Sequence, residues 1–112
     1  MDLNQSLKDY LAAYADKDLT AVSDMFAQNI KLRDWKISVC GKNAAIAETK
    51  KNFAAASSID IEILHIHGSG NTRIGELQIL VDSTELLTVV DIVTFDAQGK
   101  IQSIRAYLGR ED

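Results

Sequence analysis

Apolar positions change their spacing along the chain, and the change divides it into a helical part and a stranded part. Leu3, Leu7, Tyr10, Leu11 and Tyr14 recur at helical intervals, which gathers them on one face. Asp2, Asn4 and Ser6 are each able to cap that helix. Asp16, Lys17 and Asp18 interrupt the stripe. Asp18 is a candidate cap for a second, short helix with Leu19, Val22 and Phe26 on its apolar face. Ile30, Leu32 and Asp34 then alternate with Lys31, Arg33 and Trp35, a period of two that predicts a strand. Gly41, Lys42 and Asn43 turn into a third helix whose face is Ile46, Thr49 and Phe53.

The second half keeps the period of two. Ile59, Ile61 and Ile63 alternate with Asp60, Glu62 and Leu64, and the run continues through Ile66. It breaks at Gly68, Ser69, Gly70 and Asn71, which predict a hairpin turn. The next strand spans 72–81, with Leu77, Ile79 and Val81 on one face. Asp82 and Ser83 lead into a strand over 85–95, and the segment 96–99 leads into a last one over 101–108. Helices first and hairpin-joined strands afterwards predict an α+β fold, three N-terminal helices on a curved, mostly antiparallel sheet. Strong twist makes such a sheet a cone with an open mouth, where a small ligand can enter.

Composition narrows the function. The length of 112 residues suits one domain, here 1–112. Sixteen acidic against twelve basic residues leave a formal charge of −4, without the basic footprint that nucleic-acid binding needs. One cysteine cannot form an intrachain disulfide. No apolar run approaches the roughly 20 residues of a membrane span. The first residues lack the basic-then-apolar layout of a signal peptide, so a cytoplasmic location without membrane contact is expected.

Three polar groups sit in apolar rows. Asp34 stands where Ile30 and Leu32 call for another apolar side chain, unless it marks a strand end. Asp91 interrupts Leu87, Val89, Val93 and Phe95, which continue on both sides of it. Tyr10 belongs to the stripe of Leu7, Leu11 and Tyr14. A tyrosine there is ordinarily core. A carboxylate there is costly unless bonded, paired or protonated, and desolvation raises its pKa. Two carboxyls and a phenol facing one interior are the parts for proton transfer beside a carbonyl: one base, and two donors for the developing oxyanion. His65 and His67 share a strand face, but no third metal ligand accompanies them. Cys40 has no evident base partner, and Gly68, Gly70 and Gly75 read as turn residues without phosphate-loop spacing.

The chain resembles the NTF2-like superfamily and, within it, the bacterial steroid delta-isomerases (ketosteroid isomerases) and SnoaL-like proteins. Tyr10-Leu11-Ala12-Ala13-Tyr14, Leu32-Arg33-Asp34 and Gly41-Lys42-Asn43-Ala44-Ala45-Ile46 carry the likeness. Asp91, Phe95, Gly99-Lys100-Ile101, Ser103-Ile104-Arg105-Ala106 and Gly109 complete it. The resemblance implies an isomerase with Tyr10, Asp34 and Asp91 as catalytic residues. Asp34 would be the base, and Tyr10 with a protonated Asp91 the oxyanion donors. A carboxylic acid kept neutral in an apolar site is an established feature of that family. It further implies Tyr14, Trp35, Phe53 and Leu108 as substrate-binding residues, no cofactor and no metal. A small hydrophobic, carbonyl-containing ligand and a homodimer through the outer sheet face, at Leu86, Val90 and Ile92, are expected. Trp35 replaces the family's proline after the base, Tyr14 stands at a usually aliphatic position, and the segment between the two Asp residues is shorter. These departures leave open a cyclase or dehydratase acting on another apolar substrate, or a non-catalytic ligand-binding or dimerisation module.

Overall fold

A computed structural model describes residues 1–110; the last two positions of the expected domain lie outside the described residues. The chain runs α1 (Leu3–Ala15), α2 (Leu19–Met25), β1 (Phe26–Arg33), β2 (Ser38–Cys40), α3 (Lys42–Ala55), β3 (Ile59–Ser69), β4 (Thr72–Val81), β5 (Glu85–Phe95) and β6 (Ile101–Leu108). The six strands form one sheet in the order β2-β1-β6-β5-β4-β3. Every neighbouring pair is antiparallel except β1 and β6, which run parallel. The α+β class and the mostly antiparallel sheet agree with the sequence pattern. All three helices lie in the N-terminal half, with β1, the strand the alternation of Ile30 and Leu32 predicts, and the short β2 between α2 and α3.

Local chemistry sets the element ends. Asp2 caps α1 by accepting from the Gln5 amide at 3.2 Å, and Asp18 caps α2 by accepting from the Ala21 amide at 3.1 Å. Gly41 precedes α3 with φ 94°, a conformation that a side chain strains, and its amide donates to the Ile30 carbonyl at 2.8 Å. Phe26 opens β1 instead of closing the second helix, yet it is still buried. The β3–β4 turn is only Gly70-Asn71, since Ser69 already pairs with Thr72; Gly68 lies inside β3.

One sheet face buries Ile30, Leu77, Val89, Val93, Phe95, Ile101 and Ile104 against Leu7, Tyr10 and Leu11 of α1, with Val22, Ala45 and Phe53 completing the core. Gly75 is no turn residue. It sits in β4, and a Cβ there would stand 3.3 Å from Leu77 and 3.5 Å from Leu7. The missing side chain lets α1 approach the sheet beside Asp91, which pairs with Gly75 across the ladder. A bulge between Ile63 and His65 keeps Ile63 and Ile66 half-buried while Leu64, His65 and His67 are exposed.

Candidate active site

Helix α1 packs on β3 and β4, and α3 packs on β1 and β2. A cavity of about 360 Å³ opens beneath the helices, a volume within the roughly 300–1,000 Å³ of small-molecule sites. Buried Tyr10, Leu11, Val89, Asp91 and Ile104 make its floor; exposed Trp35, Lys36, Asp82 and Glu85 stand at its mouth.

Asp91 arrives by strand alternation. It belongs to the inward row Leu87, Val89, Asp91, Val93, Phe95, and only 8 % of it is exposed. Its ladder partners are Gly75 on one side and Ala106 on the other. Those small neighbours clear space for the carboxyl. Among the described residues none donates a hydrogen bond to it, and neither oxygen is sealed away from the cavity surface. Loss of solvation pushes the Asp91 carboxyl up to about 7, and the negative charge of Asp34 adds to the effect.

Tyr10 and Tyr14 are one helical turn apart on α1, with ring centroids 6.0 Å apart. Burial holds the Tyr10 hydroxyl well above its ordinary value, with Tyr14 and then Asp91 contributing. The Tyr14 hydroxyl is also raised by burial, partly countered by a hydrogen bond from Asn52. Both phenols therefore remain protonated donors near neutral pH.

Asp34 is placed differently from the expectation of a buried row. It lies one residue beyond β1, half-buried, in the turn to β2. Its Oδ1 accepts from the amides of Lys36 at 2.7 Å and Ile37 at 2.9 Å, which pins the carboxylate at the cavity wall. The strand end, not an apolar environment, explains why Asp is tolerated there. Asp34 lines the same cavity as Asp91 and Tyr14, and its negative charge adds to the raised values of both.

The four remaining expected positions divide evenly. Tyr14 and Trp35 line the cavity. Phe53 does not: it is buried against Tyr14, whose ring it meets edge-on at 4.9 Å and which lines the cavity in its place. Leu108 does not either; it is 45 % exposed at the end of β6, one inward position past Ala106, the last residue of β6 that lines the cavity. Sequence reasoning missed Asn52 and Glu48. Their spacing of four on α3 forms a polar stripe next to the apolar face, a signal visible in the sequence. His65 and His67 stack with ring centroids 5.9 Å apart and do not line the cavity, and no metal-binding cluster of three occurs among the described residues. Among the described residues no helix is long and apolar enough to cross a membrane.

The family model of the SnoaL-like domain matches residues 7–104. The chain belongs to that family. No curated protein matches it. Among solved structures, an NTF2-like protein of unknown function from Cytophaga hutchinsonii ATCC 33406 superposes with a TM-score of 0.81 at 11% identity, covering 97% of this chain and 91% of that one. A SnoaL-like family protein from Agrobacterium tumefaciens str. C58 gives 0.78 at 16% identity, covering 93% and 94%. The epoxide hydrolase/cyclase-like enzyme SalBIII, of pyran ring formation in the polyether salinomycin, gives 0.83 at 21% identity, covering 96% and 90%. At these identities the likeness is one of fold, and the fold is NTF2-like.

Proposed function

We propose that the cavity is a cofactor-independent acid/base site that moves a proton alpha to a carbonyl in a small apolar ligand. The Asp34 carboxylate takes the proton from the alpha carbon. The electron pair shifts into the carbonyl, whose oxygen gains charge and accepts hydrogen bonds from Tyr10 and from protonated Asp91. Asp34 then returns the proton to the gamma carbon, so the carbon–carbon double bond moves into conjugation and no atom is gained or lost. The observation that carries this reading is Asp91: a carboxyl held up to about 7 in a cavity wall, beside a buried phenol, with no protein partner of its own among the described residues. The test is ultraviolet absorbance of a β,γ-unsaturated ketosteroid mixed with pure protein. Appearance of the conjugated enone is expected. An unchanged spectrum would refute ketosteroid isomerisation.

A second substrate reading draws on the polar residues at the lip, Glu48 and Asn52, and on Trp35 beside the base. They favour a more oxygenated substrate than a steroid, with the same residues in the same roles. SalBIII, of similar fold, is named as epoxide hydrolase/cyclase-like, which supports a substrate richer in oxygen than a steroid.

We also propose that the outer sheet face pairs with a second copy. Leu86, Val90 and Ile92 of β5 lie there with Ile74 and Leu80 of β4, the side away from the cavity. Lys31, Arg33 and Arg105 flank this strip on β1 and β6, with Arg33 stacked over the Tyr107 ring at 5.1 Å. Asp60, Glu62 and Glu76 flank it on β3 and β4. A two-fold axis along the strands sets the basic end of one copy against the acidic end of the other. Sedimentation is expected to give a dimer that loosens on Leu86→Lys or Val90→Lys; a monomer at micromolar concentration would exclude it.

A further inference from the structure

Tyr14 and Asn52 form a polar pair that the proton transfer does not use. Asn52 Nδ2 donates to the Tyr14 hydroxyl at 3.1 Å, and both residues line the cavity. A phenol oxygen both donates and accepts. With Asn52 engaged on its accepting side, the Tyr14 proton is left to donate elsewhere, and no acceptor for it exists among the described residues. The ring is fixed in place between Phe53 and Tyr10, at 4.9 and 6.0 Å. Four residues of helix rise about 6 Å. The two phenols are therefore stepped along α1, Tyr10 at the buried floor and Tyr14 nearer the exposed mouth. Donors stepped in this way suit two oxygens better than one.

We infer that Tyr14 is a second phenolic donor, aimed by Asn52, and that it binds a second oxygen of the ligand, one short carbon spacer from the first. The preferred ligand is then an apolar ketone with a second oxygen, as in a β-dicarbonyl or β-hydroxy ketone. Asn52 is a positioning residue, because it acts through the Tyr14 hydroxyl. Burial raises Tyr14 and keeps its proton available. This inference rests on the cavity being the oxygen-binding site described above.

The experiment compares two neutral probes that differ by one oxygen, benzoylacetone and butyrophenone, by calorimetric or NMR titration at about pH 6. The wild-type chain is expected to prefer benzoylacetone about tenfold, the worth of one good neutral hydrogen bond. Tyr14→Phe abolishes the preference. Asn52 is exposed, so its variants leave the core intact. Asn52→Asp also abolishes the preference, because a carboxylate accepts the phenol's proton and turns it away from the ligand. Asn52→Gln, which keeps the amide donor, restores at least part of it, an outcome a purely structural role would not give. Equal affinity for the two probes, or a preference that survives Tyr14→Phe, overturns the inference while leaving the acid/base reading intact. If neither probe binds, or Tyr10→Phe leaves butyrophenone affinity unchanged, the reading of the cavity itself falls, and this inference with it.

Discussion

Asp34→Asn is expected to lower turnover of a β,γ-unsaturated ketone by about 10²–10⁴-fold, the ordinary contribution of a positioned general base. The substitution separates chemistry from structure because of how Asp34 is held. Only Oδ1 takes the amides of Lys36 and Ile37, at 2.7 and 2.9 Å. The carbonyl oxygen of an asparagine can accept both, and asparagine suits the same turn. Folding stability is therefore expected to change by less than about 1 kcal/mol. The loss falls on kcat more than on KM, since the base acts in the transition state rather than in holding the ligand. Steady-state kinetics alongside thermal melting check both halves. A variant that melts normally and turns over normally contradicts the assignment of Asp34 as the base.

Asp91→Asn is expected to stabilise the protein, and only at higher pH. The native carboxyl titrates at about 7, against an ordinary value of 3.8. Between those two values the folded chain holds a proton that the unfolded chain has released. Stability contributed by this group is thus greatest below about pH 4 and falls as pH rises to about 7. Above pH 7 the full penalty of burying a charge is present, on the order of 4 kcal/mol for that difference in pKa. A neutral amide escapes it but leaves its own polar atoms without protein partners, which cancels part of the gain. A net stabilisation of about 2–4 kcal/mol at pH 8, lost or slightly reversed near pH 4, is the expected result of urea unfolding at the two pH values. A difference that does not vary with pH contradicts it. The same titration predicts that turnover declines above about pH 7, as Asp91 loses the proton it donates.

Local patterns were the legible part of this fold. The Leu7-Tyr10-Leu11 stripe, the alternation of β3, β4, β5 and β6, and the Asp18 cap all follow from short-range periodicity and hydrogen bonding. Asp91 was legible for the same reason, since an unbroken apolar row on both sides fixes which way a strand residue points. What stayed hidden depends on pairing between distant segments. β2 has three residues and no pattern of its own; it exists because Arg33, Leu32 and Lys31 offer it a partner. The parallel alignment of β1 with β6 leaves no local trace either. Gly75 has a role only once Leu7 and Asp91 are in place around it. At Asp34, alternation was carried one residue past the strand, where an Asx turn takes over. Leu108 shows the same limit: periodicity says which face a residue occupies, but not where along that face the cavity ends, while Phe53 is covered by Tyr14 of a distant helix.

Asp91 is expected to carry a proton near neutral pH inside the cavity wall. Carbon-13 NMR of aspartate-labelled protein, followed from pH 3 to pH 9, reads it directly, with Asp91→Asn assigning the resonance. The prediction is a carboxyl that titrates with a midpoint at about 7. An Asp91 resonance that titrates near 4, with the ordinary surface carboxylates, would contradict it.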